Sequence, residues 1–344
     1  MMKYARSFQP EYVLSIGDHF YFNGVVDEHD LRWKKTFEEV YDSEELMVPW
    51  YPAMGNHDWN VLPPQVGDDD LPRRGNGWAQ IKYGQDELGT KRWTHPDPFF
   101  TTEYTTEDGV VVKTIMIDTP MFSGVYTGGR PKPNTDSDGN KCNVYDLDPK
   151  CVNNIAPVDP KIAAWAWEWI EKELENSNNA DYLFVAGHYQ VVDTEGIYDY
   201  EIFRKLEPLM EQFNVTAYFQ GHRHTMEHAQ RSPKLQPENE TITNNVHYFT
   251  FGAGALLDTG AEMAYVLTGE IRPEVACHPR NEPNDFDNGS AICHKYWFTK
   301  KYAGGFGAVN ITKDRALVSM ISSEVDNLTD AYKVEYSFDI KPRK

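Results

Sequence analysis

No run of about 18 apolar residues, the length that crosses a bilayer as a helix, occurs anywhere in the 344-residue chain. A membrane-spanning helix is therefore not expected. The opening MMKYARSFQP also lacks the apolar core of a secretory signal. Positive charge is scarce: 33 Lys and Arg stand against 53 Asp and Glu, a formal charge of −20. A grip on a nucleic-acid backbone needs clustered cations, so no nucleic-acid partner is expected. A phosphate group is a different matter, because bound metal cations can reverse the local field of an acidic protein. No repeat, heptad pattern or domain linker breaks the chain, so one domain over residues 1–344 is the expectation.

Cysteine is sparse as well. The four cysteines fall as two sequence-local pairs, Cys142 with Cys151 and Cys277 with Cys293, each in a stretch rich in Gly, Pro, Asn or Asp. Of the three pairings that four cysteines allow, locality favours this one. Asn214, Asn239, Asn288, Asn310 and Asn327 are each followed two residues later by Thr or Ser, the N-glycosylation signal. Together these features favour an oxidising compartment: a secreted protein, or one of the lysosomal or vacuolar lumen.

What the chain does have is a core. It is 40% hydrophobic, with 9 Trp and 17 Phe. Short apolar runs end in polar, Gly- or His-containing corners: YVLSIGD (12–18), VKTIMIDT (112–119), YLFVAGH (182–188), VTAYFQGH (215–222) and VHYFTFGAG (246–254). Such runs predict buried strands with loops at their C-terminal ends. Helical periodicity appears in 159–177, where Ile162, Ala166, Trp169, Ile170 and Leu174 share one face, and in 202–213, with Pro208 in its middle. Strands alternating with helices predict an α/β fold. Residues 126–158 read as a polar, lid-like loop and 272–290 as a surface insertion.

Four of the corners carry donors suited to metals. GDHFY (17–21) sets a carboxylate and a phenol three residues apart, GNHD (55–58) an amide and an imidazole side by side, and GHYQ (187–190) and GHRH (221–224) three more imidazoles. Any one of these side chains is more commonly a turn or packing residue. Their shared position at strand ends makes a joint site the better reading. A bridging carboxylate holds two cations about 3.5–4 Å apart, so that water is activated while charge on phosphoryl oxygens is neutralised. Nitrogen and oxygen donors without thiolates suit first-row metals.

GDHFY, GNHD, GHYQ and GHRH, set among PWYPAMGNHD, KRWTHP and IMIDT, resemble the calcineurin-like metallophosphoesterases, and within them the small, tartrate-resistant purple acid phosphatases. The resemblance implies a four-layer α/β/β/α sandwich and a binuclear acid phosphatase that hydrolyses phosphomonoesters through a metal-bound hydroxide. It also implies the ligands. Asp18 would bridge the metals, Tyr21 and His224 would bind Fe(III), and Asn56, His188 and His222 would hold a divalent Fe, Zn or Mn. His57 would contact phosphate or protonate the leaving group.

Two departures qualify this. Members of the family begin with a strand ending in Asp-Trp-Gly or a similar motif, whose Asp is a terminal ligand of the ferric site. None of the 17 residues before Asp18 is Asp, so the expectation is a sandwich lacking its first strand, N-terminally truncated relative to the family. Relatives also carry a histidine soon after the GHYQ position, where this chain has YQVVDTEGIYD with Asp193 and Glu195. The alternatives are a phosphodiesterase or protein phosphatase of the same superfamily, or a degenerate member without catalysis. GDHFYFNG lacks the Arg-containing loop of the protein phosphatases.

Overall fold

The computed structural model describes residues 1–21, 24–59, 76–123, 160–192, 200–231, 245–252, 254, 275–279, 291–298, 304–323 and 332–344. The sequence-predicted loop 126–158, with Cys142 and Cys151, lies outside them, as do Asp193 and Glu195 and most of 272–290.

The apolar runs form the centre of an eight-stranded sheet. Strands β4 (Val111–Ile117), β5 (Tyr182–Gly187), β6 (Ala217–Gln220) and β8 (His247–Phe251) lie side by side and parallel. Antiparallel strands extend both ends: β3 (Phe100–Thr105) beside β4, and β7 (Met226–Arg231), β10 (Ala291–Phe298) and β9 (Val275–Pro279) beyond β8. Every residue of β5 is buried, as its unbroken apolar run predicts for a strand covered on both faces.

Alternation along these strands splits the core into two layers. Leu183, Val185, Ile115 and Ile117 pack against Ile170 and Leu174 of α4 (Pro160–Glu175) and Phe203 and Leu206 of α5 (Tyr200–Gln212). Pro208 sits inside α5 without ending it. On the opposite face, Phe184, Ala186, Met116 and Phe219 meet a second layer of strands. That layer has two parts: β1 (Val13–Ser15) with β2 (Trp50–Pro52), parallel, and the antiparallel trio β11 (Gly305–Ile311), β12 (Ala316–Ser323) and β13 (Tyr332–Ile340). Outside it, α1 (Met2–Phe8), a π-helical turn (Trp33–Glu38) and α2 (Gly77–Gln85) close a third apolar cluster of Ala5, Trp33, Phe37, Trp50, Ala79, Tyr83 and Trp93. The order is α/β/β/α, the expected four layers.

The second sheet is split. Among the described residues, β1 pairs on one side only, with β2, and β11 on one side only, with β12. Between them lies a cavity of about 580 Å³, lined by Leu14, Ile16, Phe184, Phe219 and Val309 and reaching Asp18 and His188. A sandwich lacking one inner strand has this form. Among the described residues no helix is long and apolar enough to cross a membrane.

The other expectations fall out unevenly. Residues 275–279, inside the expected surface insertion, form the edge strand β9, whose register sets Cys277 opposite Cys293 of β10. Strand β7 carries Arg231, buried against Glu207 at 2.6 Å and Glu211 at 3.1 Å from α5. Removing one partner of a buried ion pair leaves an uncompensated charge, and Arg231→Leu is expected to cost about 3–5 kcal/mol of unfolding free energy in urea titrations.

Candidate metal centre

The GDHFY loop leaves β1 through two residues in the left-handed region, Gly17 (φ 96°) and Asp18 (φ 57°). Glycine is required at the first: a Cβ there would sit 2.3 Å from His188 Nδ1. Asp18 has no such licence, and a non-glycine residue held at positive φ marks a site whose surroundings over-determine it. His222, after β6, is the same (φ 62°). The GNHD loop follows β2, the GHYQ loop follows β5, and GHRH follows β6. All four corners meet at the C-terminal edge of parallel strands, where α/β sheets place their ligands.

Within the site, Asp18 is the hub. Its Oδ2 lies 3.2 Å from His188 Nε2 and accepts a hydrogen bond from the Tyr21 hydroxyl at 3.1 Å, while Oδ1 accepts the His57 backbone N–H at 2.9 Å. Asn56 turns its Oδ1 inward, 3.0 Å from His188 Nε2 and 3.1 Å from His222 Nδ1. The Tyr21 hydroxyl also lies 2.8 Å from His224 Nε2. The six sequence-predicted ligands are thus joined in one chain of contacts, with Asn56 and His188 buried and Tyr21, His222 and His224 half-buried on the open side. The His57 ring lies against Tyr21, with centroids 4.5 Å apart.

The donor set fits a cation. His188 Nδ1 is 2.8 Å from the Ile16 carbonyl, which can only accept, so Nδ1 carries the proton. In a neutral ring the Nε2 lone pair then faces Asp18 Oδ2 and Asn56 Oδ1 at 3.0–3.2 Å. Three acceptors aimed at one point repel unless a positive charge lies among them. A ligating histidine whose other nitrogen is fixed by a backbone carbonyl is the usual arrangement at metal sites. Asp18, His188 and His222 each offer a ligand atom within 4.8 Å of the others.

Burial would lower the His188 imidazole, but Asp18 beside it raises it, so without a metal a proton on Nε2 supplies that positive charge. Burial alone would raise the Asp18 carboxyl, but His188, and behind it His57 and His222, outweigh it and hold the group well below the usual carboxylate range. Burial, with His188 nearby, pushes the His222 imidazole far down, so it remains a neutral donor.

Sequence reasoning missed the supports. Asp58 stands in the GNHD motif, yet nothing in the motif reveals that its carboxylate is fully buried between the loops. Gln80 of α2 had no signal at all. Asp118, the fourth residue of IMIDT, is a second buried carboxyl. It accepts the Trp59 indole N–H at 2.7 Å and caps a short helix, α3 (Thr119–Ser123), through the Met121 N–H at 3.0 Å. Thr119 Oγ1 accepts the N–H of Tyr189, which adjoins His188, at 2.8 Å.

Residues 1–226 match the family described as calcineurin-like phosphoesterase. Human tartrate-resistant acid phosphatase type 5 is 29% identical over 321 residues, covering 92% of this chain and 77% of that protein. The mouse protein of the same name is 31% identical over 251 residues, 72% of this chain and 62% of that one. Purple acid phosphatase 3 of Arabidopsis thaliana is 25% identical over 267 residues, 76% and 59% of the two chains. Among solved structures, a Plasmodium protein titled "GAP50 the anchor in the inner membrane complex" superposes with a TM-score of 0.61 at 18% identity, covering 100% of this chain and 82% of its own.

Burial pushes the Asp118 carboxyl up to about 8, against the pull of its Trp59 and Met121 hydrogen bonds. An unfolded Asp titrates near about 3.9, so between about pH 4 and 8 folding takes up a proton and stability falls as pH rises. Asp118→Asn removes that dependence. In urea melts, the stability of the variant relative to wild type is expected to climb through this window and to level off above it.

Proposed function

Because this chain belongs to the calcineurin-like phosphoesterase family, we propose that it is a binuclear acid phosphatase acting on phosphomonoesters, with the site at the four loop corners. The observation that carries the reading is the facing of His188 Nε2, Asp18 Oδ2 and Asn56 Oδ1 across 3.0–3.2 Å. Asn56, His188 and His222 would hold a divalent Fe, Zn or Mn, Tyr21 and His224 an Fe(III), and Asp18 would bridge them. When bound, two such cations neutralise phosphoryl charge and lower the pKa of water.

The remaining steps belong to the chain. Tyr21, His57, His222 and His224 are half-buried at the mouth, with Asn56 and His188 buried beneath them, so a phosphate would approach from the half-buried side. The His57 ring is held against Tyr21, and its backbone is tied to Asp18; its imidazole would be the group that protonates the departing alkoxide. The opposition of Cys277 and Cys293 across β9 and β10 supports an oxidising compartment, secreted or lumenal.

A second reading is a member of the same fold that takes one metal and serves as a binding protein. It is favoured by the absence of a further acidic ligand: among the described residues, the cluster able to hold a metal has Asp18 as its one carboxylate.

Metal analysis and turnover separate the two. The enzyme reading expects two metals per chain and phosphate release from an aryl phosphate at acidic pH. His57→Ala should keep its metals and lose about 10²–10⁴ in kcat, whereas His222→Ala should lose metal. One metal per chain and no phosphate release would establish the second reading.

A further inference from the structure

The contacts of Asp58 point to a role beyond folding: we propose that Asp58 is a positioning residue that fixes the distance between Asp18 and Asn56 and so sets the metal affinity of the site. This rests on the metal-binding reading above. Asp58 has no solvent exposure, so its role is not one of direct contact with a substrate from solvent. Its Oδ2 accepts the backbone N–H of Asp18 at 2.8 Å and of Gly55 at 2.9 Å, and its Oδ1 accepts the N–H of His19 at 3.0 Å and Gln80 Nε2 at 2.8 Å. One carboxylate therefore joins the loop after β1, the loop after β2 and helix α2.

The two amides on Oδ2 belong to Asp18 itself and to the residue preceding Asn56. Any change in their separation moves both side chains. The loops have no slack against each other, since a Cβ at Gly55 would sit 2.3 Å from Asp18 Oδ1. The positive φ of Asp18 is held by this same contact, because the strained residue's own N–H is what Asp58 receives.

Asp58 is in turn oriented from behind. His19 Nδ1 lies 3.1 Å from Asp58 Oδ2 and 3.0 Å from Gln80 Oε1, so His19 and Gln80 brace each other as well as the carboxylate. Edge-on packing of His19 on Trp93, at 4.9 Å between centroids, ties the unit to the aromatic cluster under β2.

Two variants test this. Asp58→Asn keeps the shape but turns one acceptor into a donor that must face an N–H. Gln80→Met, on α2, removes the amide that braces Asp58 and His19 and leaves the sequence of both loops unchanged. Binding of Zn²⁺ to metal-free protein is read by calorimetry, with near-ultraviolet circular dichroism and the thermal midpoint of the metal-free form recorded alongside. Asp58→Asn is expected to remain folded and to bind Zn²⁺ about 10–100-fold more weakly, the range for loss of a group that orients ligands. Gln80→Met should show a smaller loss in the same direction. Folded variants that both bind Zn²⁺ as wild type does would overturn the positioning role and leave the metal site standing. If Asp58→Asn does not fold, Gln80→Met decides alone. Wild-type protein that takes up no Zn²⁺ would overturn the metal reading and this one together.

Discussion

The hydrogen bond from His188 Nδ1 to the Ile16 carbonyl is the contact on which the rest of the site depends. His188 follows β5 in the eight-stranded sheet, and Ile16 follows β1 in the split sheet. This bond therefore closes the seam between the two central layers at their ligand-bearing ends. It also fixes Nδ1 as a proton-bearing nitrogen, and so aims Nε2 at Asp18 and Asn56. A shift of one sheet over the other would break the bond, turn the ring and dissolve the convergence. Packing of the two sheets and chemistry of the site are one constraint here.

The same seam explains why an acidic chain can hold so much buried polarity. Asp18, Asn56, Asp58, Gln80 and His188 lie at or near the point where loops from both sheets cross. Each carboxylate there is surrounded by N–H donors or imidazoles, which offset the cost of burying it. For two histidines burial wins, at His95 over the opposing pull of Asp58. It pushes His247 down to about 4 and, with His19 nearby adding to it, His95 to about 3. Unfolded histidine takes a proton near about pH 6.5, so each of these sites withdraws stability as pH falls from there toward its folded value. Against that loss stand the large apolar layers, with Phe184, Tyr218 and Phe249 among the fully buried side chains.

Legibility followed burial. Strands β4, β5, β6 and β8 announced themselves because both faces are covered and the apolar runs are unbroken. Strand β7, MEHAQR, did not, although five of its six residues are buried, because its charges are neutralised by partners far away in sequence, as Arg231 is by Glu207 and Glu211. The six donors were readable as types at strand ends. The Ile16 carbonyl was not, since a backbone group has no sequence identity, and Gln80 was not, since only the fold brings α2 under the two loops. The family resemblance supplied the pairing of residues with roles. The residues alone supplied the expectation that they meet.

The two halves of the centre are held by unequal means. Asn56, His188 and Asp18 are fixed through buried contacts to the backbone of both sheets, through Ile16 and through the carboxylate of Asp58. Tyr21 and His224 are half-buried on the open side and meet through a contact between their own side chains at 2.8 Å. Beside them runs the cavity between β1 and β11, where strand edges carry backbone groups with no ladder partner among the described residues. Unpaired edges cost free energy and yield more readily than paired ones. Donors anchored to backbone and donors that meet each other thus stand on opposite sides of Asp18, whose Oδ2 touches both His188 and Tyr21.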